Sequence, residues 1–317
     1  MKMTRTLLIV LLLLAMTTVV RAQTPSRVMT VTIDDLPYVQ NGDGDYLTRA
    51  RKATGKILST LKKHKVPAVA FVNEGQLEAA GERDARIALL REWVKHGIIL
   101  GNHTYSHPDF NSLTVEQFQE EITKGEVVTR QLMQSRRPYQ LYFRHPMTHT
   151  GDTREKKEAV EKFLAERGYK VTPHTIDNYD WLFNVGYALA LQKGDKELAQ
   201  RVRDAYLDFT MATTEFAEKV SPKIFGRDIP QTLLIHSNDI TADCLDEILT
   251  RFKARGYRFV TLDNVMADPA YQTKDTNVTK YGPSWLVRWT VSKGLDVSFS
   301  GDPDPPKWIF DLEKNRQ

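Results

Sequence analysis

Short apolar runs alternate with longer amphipathic segments along most of this 317-residue chain. The short runs are rich in β-branched residues, which is typical of buried strands. The longer segments repeat apolar residues every three or four positions, as one face of a helix does. The predicted strands cover residues 28–33, 68–72, 98–100, 141–143, 169–175, 232–235 and 257–261. The predicted helices cover residues 46–64, 84–95, 114–133, 153–167, 181–219 and 242–255.

This alternation predicts an α/β fold, because repeated strand–helix units build a parallel sheet covered by helices. With about seven such units, a distorted or incomplete (β/α) barrel over residues 28–265 is more natural than an open sheet. Residues 266–317 leave the alternation and are predicted to pack on the barrel as a C-terminal extension. Their tryptophans, Trp285, Trp289 and Trp308, could stack on sugar rings, although buried packing explains them better.

The first 22 residues have the pattern of a secretory signal peptide. Lys2 and Arg5 precede an apolar run over residues 7–20, and Ala22 offers a small residue for cleavage. The run is shorter than the ~20 residues that a membrane span needs. We therefore expect an exported protein, periplasmic or extracellular, with no stable membrane span after cleavage. An uncleaved membrane anchor is the alternative.

Charge and cysteine content narrow the function classes. The formal net charge is +4, but Lys2, Arg5 and Arg21 lie in the predicted signal peptide, so the mature chain is nearly neutral. This balance gives no reason to expect a nucleic acid partner. The one cysteine, Cys244, has no partner for a disulfide, so the fold must rely on its core.

Polar residues recur where the predicted strands end. Asp34 and Asp35 follow the first strand, and His103 and His107 follow the third. Further polar residues follow later strands: Arg144, Asp177 and His236. In parallel α/β barrels the active site lies at the C-terminal ends of the strands, so these residues are predicted to converge on one cavity.

His103, His107 and Asp35 are the predicted metal ligands. Two histidines four residues apart can approach one ion, and a carboxylate from another strand end completes a set that leaves coordination positions open. Two imidazoles and one carboxylate favour Zn²⁺, although iron, cobalt and nickel also fit. The plainer interpretation is a pair of structural histidines and an aspartate in a turn.

Four further residues supply the acid and base that a hydrolase needs. Asp34, beside the metal ligand, is the predicted base for the attacking water, and Arg144 is predicted to pair with it. His236 is the predicted general acid, with Asp177 as the carboxylate that orients it and raises its pKa. Alternatively, Arg144 is a surface arginine and Asp177 belongs to a helix start that Asp180 caps.

Trp181 and Leu234 are predicted to wall an apolar pocket for a small acyl group, although Leu234 is equally suited to the barrel core. Together with the acid, the base and the metal ligands, this pocket predicts a metal-dependent amide hydrolase.

These residues, in this order, resemble the polysaccharide deacetylase family, carbohydrate esterase family 4, over about residues 28–263. Two motifs match in full, His-Ser/Thr-x-x-His at 103–107 and Asp-x-x-Asp-Trp at 177–181, and Leu-x-His matches at 234–236. Two motifs match with a change. Leu36 stands where Thr-Phe-Asp-Asp-Gly has glycine, and Met147 stands where Arg-x-Pro-aromatic has its aromatic residue.

The resemblance implies a distorted (β/α) barrel and removal of N-acetyl groups from a glycan such as peptidoglycan or chitin, with release of acetate. It implies the same roles for the ligands, the base and the acid, and supports Arg144 and Asp177 as the residues that tune them. Leu36 adds bulk near the metal. Met147 is expected to line the substrate groove, and its backbone N–H can still stabilise an oxyanion.

Three alternatives stay open at this point. The metal could serve an O-acetyl esterase, or an amidohydrolase acting on a small non-sugar amide. The chain could also be a glycan-binding protein with a degenerate site.

Overall fold

The computed structural model describes residues 27–314, so the predicted signal peptide lies outside the described residues. Eight strands form one sheet: β1 (Arg27–Leu36), β2 (Ala68–Val72), β3 (Ile99–Asn102), β4 (Leu141–Phe143), β5 (Tyr169–Val171), β6 (Ile176–Asp177), β7 (Gln231–His236) and β8 (Tyr257–Phe259). Every pair of neighbouring strands in it is parallel.

The strand order is β5-β4-β3-β2-β1-β7-β6, and β8 pairs with the start of β1. Within residues 27–314 no ladder joins β5 to β6, so the barrel is incomplete, which confirms the predicted fold class. The strand predicted over 169–175 is wrong in its extent, because only its first three residues form β5 and the next strand, β6, begins at Ile176. Pro173 lies between them and has no N–H to donate to a ladder.

Eleven α-helices are found within the described residues: α1 (Tyr46–His64), α2 (Arg83–Lys95), α3 (Val115–Lys124), α4 (Val127–Met133), α5 (Arg154–Glu166), α6 (Asp180–Lys193), α7 (Lys196–Phe225), α8 (Asp239–Ala254), α9 (Leu262–Met266), α10 (Trp285–Ser292) and α11 (Lys307–Lys314). The helices predicted over 114–133 and 181–219 are each two helices. Glycines mark both breaks, Gly125 after α3 and Gly194 in the left-handed conformation after α6.

The core lies between the sheet and the helices around it. Val31 and Ile33 of β1 are fully buried, as is Ile57 of α1. Each such side chain contributes about 1.5–3 kcal/mol through the burial of its apolar surface. No helix within residues 27–314 is long and apolar enough to cross a membrane.

The C-terminal extension packs on α6 and α7. The ring of Trp289 meets Phe225 of α7 edge-on at 5.5 Å and Tyr271 at 5.1 Å. Trp285 and Trp289 are both buried, and Trp308 lies under the guanidinium of Arg201. The first two tryptophans therefore serve packing and are not free to stack on a sugar.

Candidate active site

The predicted ligands lie on backbone of unusual conformation, near the end of β1 and in the turn after β3. Asp35, Thr104 and His107 all have positive φ, at 62°, 68° and 57°. A left-handed backbone costs a residue with a side chain about 1–2 kcal/mol. The turn after β3 is held in this shape because the Asn102 side chain accepts a hydrogen bond from Thr104 N (2.7 Å) and Asn73 Nδ2 donates to His103 O (2.6 Å). Residues in such conformations cluster at functional sites.

Asp35, His103 and His107 converge in a group with the geometry to hold a metal ion. Asp35 Oδ1 lies 3.4 Å from His103 Nε2 and 3.5 Å from His107 Nε2, and the ligand atoms all lie within 4.8 Å of one another. Asp35 Oδ1 is buried without a hydrogen-bond donor among residues 27–314. His103 Nδ1 lies 2.8 Å from Arg144 O, which only an N–H can satisfy, so Nε2 keeps its lone pair for a metal. This set fits a divalent cation with open coordination positions.

Electrostatics keep the ligands in the forms that bind metal. Burial lowers the pKa of His103 to about 4, which keeps the imidazole neutral. Burial alone would raise the pKa of Asp35, but the nearby His107, His236 and His103 lower it below its ordinary value. Metal ligands must be deprotonated to coordinate, and both groups meet that condition at neutral pH.

Asp34 lies between the metal set and a buried arginine. Its carboxylate is buried, with Oδ2 3.6 Å from His103 Nε2 and 3.9 Å from Arg144 Nε. Arg144 and Asp34 are therefore in contact, as predicted. At this distance the contact is an ion pair and not a hydrogen bond. Arg144 is fully buried rather than on the surface, and its Nη2 donates to Thr32 Oγ1 (2.7 Å).

The predicted partner of His236 is wrong. His236 Nδ1 lies 2.8 Å from Asp180 Oδ1, and Asp180 also accepts from His236 N (2.8 Å) and Thr241 Oγ1 (2.9 Å). The physical reason is that α6 begins at Asp180, so its first turn projects this carboxylate to the end of β7. Asp177 instead accepts a hydrogen bond from Tyr179 N (2.9 Å). Tyr179, and not Asp180, occupies the cap position.

Asp180 changes the proton affinity of His236. Burial alone would lower the pKa of His236, but the charge and hydrogen bond of Asp180, together with Asp35 and Asp34, raise it to about 10. His236 is therefore a protonated donor at neutral pH, as a general acid must be. Asp177 is different, because burial raises its pKa to about 6.

One cavity of about 440 Å³ gathers these groups. Nine of the predicted residues line it: Asp34, Asp35, His103, His107, Met147, Asp177, Trp181, Leu234 and His236. Arg144 lies behind it. Trp181 and Met147 are partly exposed at its rim, whereas Leu234 is buried.

Met147, which lines this cavity, also has a backbone donor that is unpaired within the described residues. Its φ is 51°, and its N–H has no hydrogen-bond acceptor within the part of the chain that the structure describes.

Sequence reasoning missed several residues at this site. Thr148, Tyr179 and Gly282 also line the cavity, and a second cavity of about 240 Å³ shares Asp177, Tyr179 and Gly282 with it. Asp180 could have been found, since it is the second carboxylate of the 177–181 motif. Gly282 carried no such signal, because only tertiary packing brings the extension to the barrel rim.

Comparison with known proteins agrees with this geometry. The family model described as "Polysaccharide deacetylase" matches residues 21–164, which carry Asp34, Asp35, His103, His107 and Arg144. Over these residues, just under half of its length, the chain is similar to the polysaccharide deacetylase family. Asp180 and His236 lie beyond the matched residues, so their assignment depends on the structure.

The curated proteins that resemble this chain include deacetylases of peptidoglycan and of chitin. It is 25% identical over 218 residues to the peptidoglycan-N-acetylglucosamine deacetylase of Bacillus cereus, covering 67% of this chain and 62% of that protein. It is 26% identical over 215 residues to the peptidoglycan-N-acetylmuramic acid deacetylase PdaA of Bacillus subtilis, covering 67% and 66%. It is 26% identical over 255 residues to a chitin deacetylase of Arthroderma benhamiae, covering 80% and 55%. The chain thus spans between about half and two thirds of these relatives' length.

Solved structures share the fold. The chitin deacetylase of Colletotrichum lindemuthianum matches with a TM-score of 0.51 and 22% identity, over 76% of this chain and 88% of that one. A CE4 family pseudoenzyme from Bacillus anthracis matches with a TM-score of 0.50 and 19% identity, over 77% and 66%. Since this fold includes a pseudoenzyme, activity must be argued from the site residues themselves.

Proposed function

We propose that this protein is a metal-dependent hydrolase that removes N-acetyl groups from an acetylated glycan, either peptidoglycan or a chitin-like polymer, and releases acetate. The observation that carries the proposal is the register of β1 against β7. It makes Asp34 and His236 direct neighbours, beside the set formed by Asp35, His103 and His107. A base, an acid and a metal set thus share one cavity, as hydrolysis of an amide requires.

Asp35, His103 and His107 would hold the metal, and Zn²⁺ suits these ligands best. A divalent cation in this position supplies a Lewis acid for the acetyl carbonyl and lowers the pKa of water.

The protein's own residues then divide the remaining work. Asp34 takes a proton from the attacking water, and the guanidinium of Arg144 at 3.9 Å holds this carboxylate in place. The Met147 N–H donates to the developing oxyanion. His236, oriented by Asp180, gives its proton to the departing nitrogen as the C–N bond breaks. Acetate and a free sugar amine are the products.

Three observations support a glycan substrate. The relatives described above are named as deacetylases of peptidoglycan or chitin. The second cavity adjoins the first at Asp177, Tyr179 and Gly282, which gives room for more than one sugar unit. Trp181 is partly exposed at the rim, where an aromatic face can stack on a sugar ring, and Leu234 offers an apolar contact for the acetyl methyl group.

We also propose that the protein acts outside the cytoplasm, because residues 1–22 have the signal-peptide pattern and the proposed polymers are cell-wall glycans. N-terminal sequencing of the protein recovered from cell fractions tests this. A mature N-terminus near residue 23 in an exported fraction is expected, and an intact N-terminus in the cytoplasm would contradict it.

The direct test is acetate release by the zinc-loaded mature protein from chitooligosaccharides and peptidoglycan. O-acetylated sugars and small N-acetyl amides are assayed beside them. We expect release from an N-acetylated glycan, loss of activity on chelation, and a fall of about 10²–10⁴-fold in Asp34→Asn. The exposed Asp296→Asn is the matched control and should retain full activity.

Two results would contradict the proposal. Release from esters or small amides alone would identify a different hydrolase. Zinc binding without release from any substrate would identify a glycan-binding protein.

A further inference from the structure

The loop over residues 146–150 is held by the C-terminal extension rather than by the barrel alone. Arg288 of α10 is fully buried, and its Nη2 donates to Thr148 O (2.7 Å). Its Nη1 donates to Thr150 Oγ1 (2.8 Å), and Thr148 Oγ1 donates to Gly282 O (2.7 Å). The extension therefore contacts the loop on both sides of Thr148.

This loop needs such support, because two successive residues in it have a left-handed backbone. Met147 has φ 51° and Thr148 has φ 53°, and neither is glycine. Together they cost about 2–4 kcal/mol relative to an ordinary backbone, at 1–2 kcal/mol each. Hydrogen bonds from Thr148 N to His145 O and from His149 N to Pro146 O, both 3.0 Å, close the turn locally. The bonds from Arg288 fix the turn to the rest of the molecule.

Gly282 shows how closely the extension approaches the loop. A Cβ at Gly282 would lie 1.9 Å from Met147 O and 2.2 Å from Thr148 Oγ1. Only glycine fits there, although its backbone is not in the left-handed region. Residue 282 also lines the catalytic cavity. The extension is thus part of the cavity wall. It contacts the peptide group that follows Met147, which is next to the peptide group that carries the Met147 N–H.

We propose that Arg288 is a positioning residue for deacetylation, which fixes the 146–150 loop so that the Met147 N–H meets the oxyanion of the substrate. This inference rests on the proposed function. Arg288 is not among the residues that line the catalytic cavity, and its hydrogen bonds reach none of the metal ligands. Its effect is therefore expected on the rate of the chemical step and not on metal binding.

The experiment compares Arg288→Lys and Arg288→Met with wild type. Lysine keeps the charge beside Asp275, which lies 3.3 Å from Arg288 Nη1, but it cannot make the forked donation to Thr148 and Thr150. For both variants we expect kcat for acetate release to fall at least tenfold, with KM and zinc affinity within twofold of wild type. Hydrogen–deuterium exchange should rise in residues 147–150 and stay unchanged in β1 and β7.

Two controls separate positioning from general stability. Arg255→Met removes an arginine that bonds Glu215 and Glu218 at the opposite end of the strands, so its kcat should stay within twofold. Gly282→Ala perturbs the same loop from its other side and should reproduce the loss of kcat. Gly55→Ala, whose Cβ meets nothing within 4 Å, should not.

Either of two results would overturn the proposal. The first is a kcat within twofold of wild type in Arg288→Met. The second is faster hydrogen–deuterium exchange throughout the chain of the Arg288 variants, together with loss of zinc. That result is expected if Arg288 only stabilises the fold. If the wild-type protein releases no acetate, the proposed function fails. The hydrogen–deuterium exchange of residues 147–150 in the Arg288 variants still decides whether Arg288 holds the loop.

Discussion

At the scale of single residues, Asp180 decides the protonation of His236. Burial opposes a charged imidazole, and the buried carboxylate at 2.8 Å more than compensates, so the pKa rises to about 10. The stabilisation from this raised pKa is present below the ordinary histidine pKa near 6.5 and is lost as pH rises through about 10. The same pair thus contributes to the fold and keeps the proposed acid protonated.

Replacing Asp180 with asparagine should move the pH profile of the enzyme. Without the carboxylate, only the charges of Asp35 and Asp34 oppose the effect of burial, so the pKa of His236 falls and the alkaline limb of kcat moves to lower pH. We expect kcat at pH 8 to fall about 10²-fold. Asp177→Asn is the matched control, since Asp177 makes no bond to His236 Nδ1, and its alkaline limb should stay in place. An equal shift of the alkaline limb of kcat in both variants would show that Asp180 does not set the pKa of His236.

Removing one ligand should abolish tight metal binding. His107→Ala leaves only His103 and Asp35, and we expect zinc affinity to fall by at least about a hundredfold, because even residues that only support ligands cost 10–100-fold. Competition against a chromophoric chelator measures this. His149→Ala serves as the control, because His149 bonds Asp109 and lies outside the set. Unchanged affinity in His107→Ala would mean that the metal binds elsewhere.

At the scale of elements, the strand-end turns were predictable and the helix boundaries less so. Buried β-branched runs fix where strands lie, because their periodicity differs from that of helices. The helix predicted over 114–133 failed at Gly125, where a Cβ would lie 2.5 Å from the backbone of Thr104. The glycine is explained by that close approach, which has no signal in the local sequence.

Gly125→Ala should therefore disturb the histidine turn. The added methyl group overlaps the backbone of Thr104, between His103 and His107, and overpacking of this kind costs about 1–3 kcal/mol. We expect a lower unfolding free energy by denaturant titration and weaker zinc binding. Gly55→Ala in α1 is the control and should be neutral or slightly stabilising. Wild-type zinc affinity in Gly125→Ala would contradict the coupling of this helix break to the site.

At the scale of the whole molecule, the site joins distant parts of the chain. Its proposed metal ligands come from the ends of β1 and β3, its proposed acid comes from β7, and one wall comes from the extension. Because binding favours the folded state, a ligand shared by these elements stabilises all of them.

Zinc should accordingly raise the thermal stability of the metal-free protein. At a free concentration 100 times the Kd the gain is about 2.7 kcal/mol, which corresponds to a rise in Tm of roughly 4–5 °C for a domain of this size. Differential scanning calorimetry measures the shift, and a chelator should reverse it. Asp35→Asn should show little shift. An equal rise in that variant would show that zinc acts at another site.

The sequence by itself determined the class of fold and most of the chemistry. Apolar periodicity sets strands and helices, parallel strands place their C-terminal ends together, and the residues at those ends were visible in order along the chain. The tertiary structure alone decided which carboxylate faces His236 and that Arg288 and Gly282 reach the cavity. The physical reason is that these contacts depend on the angle at which α6 leaves β6 and on the packing of the extension. Both are set by contacts between residues far apart in sequence.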